Sequence, residues 1–242
     1  MSVRPTALRP GSLPRFRAVV TDVDGTLTDA DRRLDPRAVR RVRELESRGI
    51  PVVLATGNVL PIALALHRSL GLSGPIVAEN GGVLYRKVDE NDRVERLADR
   101  RVALAAFRAL RAARVPVRRL FTDRWRETEV ALEPTVPLAA VRRAVRGLPV
   151  TVESTGYALH LIERGVGKLP SLVRALEPLG LAPADCVILG DGDNDVAMLR
   201  AAGFGVSFPT ASTRARSAAT FVTERSYAEG FEEGLKQSGL VR

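Results

Sequence analysis

Residues 19–29 read VVTDVDGTLTD. An apolar, β-branched run ends in two carboxylates two positions apart, followed by a glycine and a threonine. Arg17 to Thr21 has the composition of a buried strand, which places Asp22 and Asp24 at its carboxyl end. Successive extended residues point to opposite sides while i and i+2 share one, so the two carboxylates can face a common site until the chain turns at Gly25. Two close carboxylates repel, and a hard cation with a preference for oxygen ligands, such as Mg²⁺, offsets that repulsion. In open parallel sheets, functional groups gather in the crevice beyond the carboxyl ends of the strands. Whether the run belongs to such a sheet therefore decides how the motif is read.

The surrounding sequence answers that it does. Ile50 to Ala55 and Pro75 to Ala78 are further short apolar runs, and helical patterns over Asp35 to Gly49 and Asn58 to Gly71 separate the three. This β-α-β-α-β order is the mark of a parallel sheet. The first helix has full punctuation: Asp35 as N-cap, Pro36 in the first turn, Ala38, Val42 and Leu45 on one side, and Gly49 at its end. The pattern resumes with a strand at Cys186 to Gly190, a helix at Asp195 to Ala202 and a strand at Phe204 to Ser207. The fold class expected is α/β, a doubly wound, Rossmann-like parallel-sheet core.

Between the two halves the style changes to an Arg-rich helix over Arg101 to Ala113, the strand-like LFTDRWRETEVALE, a helix over Pro137 to Arg146, then PVTVES. That reads as a smaller α+β cap inserted in the core. The expected division is a flexible leader over 1–15, core over 16–83 and 158–242, and cap over 84–157. Ala103, Ala106, Phe107, Leu110 and Ala113 form the apolar face of the first cap helix.

Three further clusters complete the chemistry. VILGDGDND offers Asp191, Asp193 and Asp195 in a Gly-rich turn after a strand. VVLATGN puts the Thr56 hydroxyl, Gly57 and the N-cap candidate Asn58 at another strand end, a natural phosphate cradle. Lys168, at the start of a helix with Pro170 in its first turn, supplies a point positive charge.

Together these resemble the four motifs of the haloacid dehalogenase superfamily of phosphohydrolases: DxDGT at Asp22 to Thr26, a strand-end Thr at Thr56, Lys168, and GDxxND at Gly190 to Asp195. TGNVLPIALAL, GLSGPIVAENGG, DRWRE and STGYALHLIERG are similar to the archaeal-type phosphoglycolate phosphatases, across most of residues 17–230. One departure from related cap-bearing phosphatases is Thr210 in SFPTAST, where an Asn often precedes the alanine. The resemblance implies an Mg²⁺-dependent phosphomonoesterase acting through an aspartyl phosphate, with 2-phosphoglycolate as substrate and a sugar-phosphate or broad-range phosphatase as the alternative.

In that scheme Asp22 attacks phosphorus and Asp24 protonates the leaving group, then activates water. Asp22, Asp191, the Asp24 carbonyl and Asp195, directly or through water, hold the metal. Asn194 orients these ligands, and Thr56, Gly57 and Lys168 bind phosphate oxygens. Arg126, with Arg124 in reserve, is the candidate for a substrate carboxylate, on the reading that RWRE is an alternating strand with both guanidinium groups on one side. Asp193 reads as a turn residue, and His67 and His160 as core or cleft packing.

Composition narrows the rest. The 242 residues suit one large domain or two small ones, and 45% apolar and 27% charged residues are ordinary for a globular protein. No segment approaches the roughly 18 apolar residues of a membrane helix. The leader lacks the apolar stretch of a secretory signal, and a single cysteine, Cys186, excludes an internal disulfide and fits a reducing cytoplasm. A net charge of +9 favours anionic partners, small phosphorylated acids or nucleic acid, and reads most simply as the surface style of an Arg-rich genome. Intact acids at the motif positions and few aromatics near basic clusters weigh against a nucleic-acid-binding protein on this fold. A homodimer is compatible with the sequence.

Overall fold

The computed structural model describes residues 16–89, 91–155 and 157–242; the expected leader over 1–15 lies outside the described residues. Strands β1 (Ala18–Thr21), β2 (Val52–Ala55) and β3 (Ile76–Ala78) are buried along their whole length. Helices α1 (Pro36–Ser47) and α2 (Leu60–Leu70) connect them. At α1 the carboxylate of Asp35 accepts the Arg37 N–H at 2.7 Å, a cap worth about 1 kcal/mol. Ala38, Val42 and Leu45 are its buried stripe, as their spacing requires.

The chain then runs β4 (Val83–Val88), β5 (Asn91–Arg96), α3 (Arg100–Ala112), β6 (Val130–Leu132), α4 (Leu138–Ala144), β7 (Val150–Ser154) and β8 (Leu159–Glu163). It ends with α5 (Lys168–Leu176), β9 (Cys186–Leu189), α6 (Val196–Ala201), β10 (Phe204–Ser207), α7 (Thr213–Ala218), β11 (Phe221–Val222) and α8 (Tyr227–Gln237). An eight-stranded sheet has the order β11-β10-β9-β1-β2-β3-β4-β5. Its strands are parallel from β11 to β3, and β4 and β5 add antiparallel.

Period-two alternation feeds two cores. Val19, Val52, Leu54 and Ile76 pack with α1, α2 and α8, while Ala18, Val20, Val53 and Val77 meet Leu172 and Leu176 of α5 and Met198 of α6. Cys186 is buried in the second core. A separate three-stranded antiparallel sheet, β6-β8-β7, packs on α3 and α4 through Ala103, Ala106, Leu110 and Val141. Phe107 is partly buried there, and Ala113, past the helix end, is exposed.

The cap boundaries expected at 84 and 157 fall elsewhere. The hairpin β4–β5 extends the main sheet, because Val83 and Leu84 continue the inward alternation of the core on its two faces. β8 belongs to the small sheet, where Leu159 and Leu161 complete its core. A strand buried on both faces reads alike in either sheet, and the charged NDRVER of β5 hides a strand whose side chains are mostly exposed. LFTDRWRETEVALE is not one strand either. Phe121–Trp125 forms a 3₁₀ turn around the buried Asp123, whose carboxylate accepts the N–H groups of Arg100 and Ala131, and the strand itself spans only Val130–Leu132.

Candidate active site

β1 and β9 are neighbours in the sheet, yet β2 and β3 follow on one side and β10 and β11 on the other. This is the topological switch point at which parallel sheets open a crevice. The register Thr21↔Leu189 brings the chain just past both strands to one level, and the Asp22 N–H donates to the Leu189 carbonyl at 3.0 Å. Carboxylate oxygens of Asp22, Asp191 and Asp195 consequently lie within 4.8 Å of one another. Gly25, at φ 78°, is required here: a Cβ would strike the Asp191 carboxylate, and the conformation is one that other residues rarely adopt.

Lys168 stands at the first position of α5 with its side chain fully buried, donating to Asp22 at 3.0 Å and to Asp195 at 2.7 Å. Burial alone would lower the ammonium's pKa, but Asp195 and Asp22 outweigh it and hold the group well above its ordinary range. Burial raises Asp22 well above a normal carboxylate; Lys168 opposes that rise and the neighbouring aspartates add to it. Asp191 is pushed up to about 7 by burial and by Asp195. Asp195 also anchors its own turn, its second oxygen accepting the Asp191 and Gly192 N–H groups at 3.1 and 2.9 Å.

Three clustered carboxylates with a single ammonium leave excess negative charge, and the donor set is all oxygen. That set fits a hard divalent cation such as Mg²⁺. Asp22 and Asp191 would hold it, with Asp195 braced behind them by Lys168 and the backbone.

The Asp24 carboxylate lies apart from this cluster and accepts the Asn58 side-chain amide at 2.6 Å. Asn58 is thus not the helix cap its position suggests. α2 begins at Leu60 and is capped at Val59 with no side-chain bond, while the Asn58 amide goes to Asp24. Thr56 is buried, its hydroxyl accepting the Asn58 N–H at 3.0 Å and donating to no partner among the described residues. Gly57 lines a cavity of about 700 Å³ that Asp22, Asp24, Asp191 and Asn194 also border. Thr210 lines it as well, and the Ser212 N–H donates to the Asp191 carbonyl at 2.9 Å, so the loop 207–213 braces the acidic turn. Asp193 accepts from Ser212 and Arg214, in keeping with a turn residue.

Arg126 is not among the residues that line this cavity. Its side chain is buried, and its Nη1 donates to the Gly57 carbonyl at 3.0 Å and to Glu129. The 3₁₀ turn before it removes the strand alternation that would have put Arg124 and Arg126 on one side. Arg124 instead stacks over exposed Phe121, 4.2 Å from the ring centroid.

Arg126 belongs to a buried chain with no clear trace in the sequence. Asn194 donates to Asn80 at 2.9 Å, Asn80 to Glu129 at 3.0 Å, and His160 meets Glu129 at 2.9 Å and Thr155 at 3.1 Å. Burial would raise Glu129, but His160 and Arg126 hold it at about 2. Beside it, buried Glu79 accepts the N–H groups of Glu127 and Thr128 and the Thr128 hydroxyl. Glu79 and Asn80 adopt φ values of 49° and 53°, and the Asn-Gly in ENGG is the only local hint of that turn. His67 is a packing residue, bonded to the Gly74 carbonyl at 2.7 Å and edge-on to Tyr85. No helix among the described residues is long and apolar enough to cross a membrane.

Comparison with known proteins places this geometry. A phosphoglycolate phosphatase of Methanothermobacter thermautotrophicus is 40% identical over 222 residues, covering 92% of this chain and 98% of that protein. The crystal structure of protein 0175 of Thermoplasma acidophilum superposes with a TM-score of 0.85 at 27% identity, covering 93% of this chain and 99% of the other. A sugar phosphatase of subclass IIB of the superfamily has a TM-score of 0.74 at 17% identity, covering 93% and 100%, and so shares the fold. Residues 19–125 and 134–235 match the haloacid dehalogenase-like hydrolases, and with the acidic switch-point site they show that the chain belongs to that family.

Proposed function

We propose that the protein is an Mg²⁺-dependent phosphomonoesterase whose substrate is 2-phosphoglycolate. The observation that carries the chemistry is the convergence of Asp22, Asp191 and Asp195 within 4.8 Å, with Lys168 bridging two of them below an open cavity. The substrate reading is supported by relatives 34–40% identical that bear the name phosphoglycolate phosphatase.

An Asp22 oxygen attacks phosphorus while the ester P–O bond breaks, and the departing alkoxide takes a proton from Asp24. Asp24, now ionised, takes a proton from the water whose oxygen attacks the aspartyl phosphate. The Asp22–phosphorus bond then breaks, releasing inorganic phosphate. Lys168 favours the ionised form of the buried nucleophile against burial, and the Asn58 amide orients the Asp24 carboxylate. Thr56, with its free hydroxyl proton, and the Gly57 backbone bind the phosphoryl oxygens, where positioning supplies most of the acceleration. When bound, Mg²⁺ contributes positive charge that offsets the repulsion between nucleophile and phosphate.

The test is a panel of phosphomonoesters assayed with Mg²⁺ and with a chelator. Hydrolysis of 2-phosphoglycolate ahead of sugar phosphates, lost on chelation and restored by Mg²⁺, is the expected result. Preference for a sugar phosphate would overturn the substrate, and full activity under chelation would overturn the metal. The Asp24→Asn variant separates the acid from the nucleophile. It should lose about two to four orders of magnitude in kcat on alkyl phosphates and far less on p-nitrophenyl phosphate, whose leaving group departs without a proton. Equal losses on both would remove Asp24 from the role of acid.

A further inference from the structure

The cavity is rich in carboxylates, and Arg32 is the one basic side chain among its described lining residues. Lys168 is committed to Asp22 and Asp195, Arg126 to Glu129 and Gly57, and Arg214, which does not line the cavity, to Asp193. A substrate with a second anionic group therefore meets a single uncommitted cation here.

Arg32 is held in place by its backbone. It has φ 61°, an uncommon conformation for a residue with a side chain. Its N–H donates to the Asp29 carbonyl at 3.0 Å, and Asp29 Oδ1 accepts from Asp31 and Arg33, each at 2.9 Å. A bridge between Thr28 and Leu34 closes the loop. This tied turn carries the guanidinium 5.2 Å from the ring centroid of Tyr157, in the loop between β7 and β8 of the small sheet. Tyr157 in turn lies close enough to Asp24 and Asp22 that their charges, added to burial, raise its phenol above the ordinary range. A guanidinium stacked on an aromatic face keeps its N–H edge free, and that edge matches a carboxylate bidentately.

We propose that Arg32, positioned by Tyr157, is the specificity-determining residue on the leaving-group side and binds the substrate's carboxylate while phosphate is held at Asp22. This rests on the proposal that the substrate is a phosphorylated acid. It reassigns to the core loop after β1 the cation that the sequence suggested at Arg126.

The experiment compares kcat/KM for 2-phosphoglycolate and for ethyl phosphate, which lacks the carboxylate, in the wild type, Arg32→Gln and Arg32→Lys. In the wild type the acid should be preferred. Arg32→Gln should cut that preference by about 10- to 100-fold, chiefly through KM for the acid, and Arg32→Lys should restore part of it as a point charge without the bidentate edge. A wild type with no preference would defeat the phosphorylated-acid substrate and this inference together. Preference in the wild type that survives Arg32→Gln would overturn the role of Arg32 alone, as would equal losses on both substrates, which would make the loop a structural support.

Discussion

The Asp22→Asn variant is expected to lose at least about four orders of magnitude in kcat while remaining folded. An amide is neither a competent nucleophile for phosphorus nor a charged ligand, so both of the functions proposed for this side chain disappear together. The fold should tolerate the change well. An amide oxygen can still accept the Lys168 N–H now bonded at 3.0 Å, and burial already disfavours the charge that is removed. The carboxyl of Asp22 is raised in the folded state, so it contributes stability at acidic pH that is lost as pH rises through its folded value. Without it, the metal-free protein should be at least as stable as the wild type at pH 8. Thermal denaturation, together with trapping of phosphoenzyme from labelled substrate, checks both points. A folded variant retaining more than about 1% of kcat would remove Asp22 from the role of nucleophile.

Lys168→Met should have the second largest effect, and on two readouts. Catalysis should fall by about three orders of magnitude, because a preorganised charge beside the developing phosphoryl charge is lost from a buried site. Stability should fall in a pH-dependent way. Lys168 lowers the pKa of both Asp22 and Asp191, and without it their folded values, already raised, climb further. A raised carboxylate stabilises the fold below its unfolded pKa and loses that contribution as pH rises, so the penalty should be small near pH 5 and grow towards pH 8. Breaking a buried ion pair by removing one partner typically costs about 3–5 kcal/mol, which sets the upper end of the loss. Mg²⁺ should recover part of it by returning positive charge to the cluster. Urea denaturation at several pH values, with and without Mg²⁺, measures this. A penalty equal at pH 5 and pH 8 would mean that Lys168 does not act through the ionisation of Asp22 and Asp191.

Local pattern and chain order are enough to place the acids. Asp22 and Asp24 follow a run that is apolar on both faces, and Asp191 follows another. A strand's end and its following turn are local properties, so the carboxyl-end placement of both clusters could be read directly. The same holds for α1, whose Asp35 cap, Pro36 and buried stripe are all encoded within twelve neighbouring positions. The errors fall where local pattern is ambiguous. β8 is buried on both sides and fits either sheet, and the 3₁₀ turn before Arg126 looks like strand until Asp123 is seen to gather distant N–H groups.

By itself, then, the sequence determined the doubly wound core, the presence of an inserted second sheet, and the residue types of the acid and phosphate motifs. Hydrophobic periodicity and turn chemistry act over a few residues, and those features need nothing more. Only the tertiary structure decided which charges meet. Asn58 reaches Asp24 across 34 positions, Glu79 holds Thr128 across 49, and Lys168 joins Asp22 across 146. It also decided that Arg126 is sealed against Glu129 while Arg32 faces the cavity. An arginine's partner is set by which segments the sheets bring into contact, and neither propensity nor periodicity along the chain carries that information.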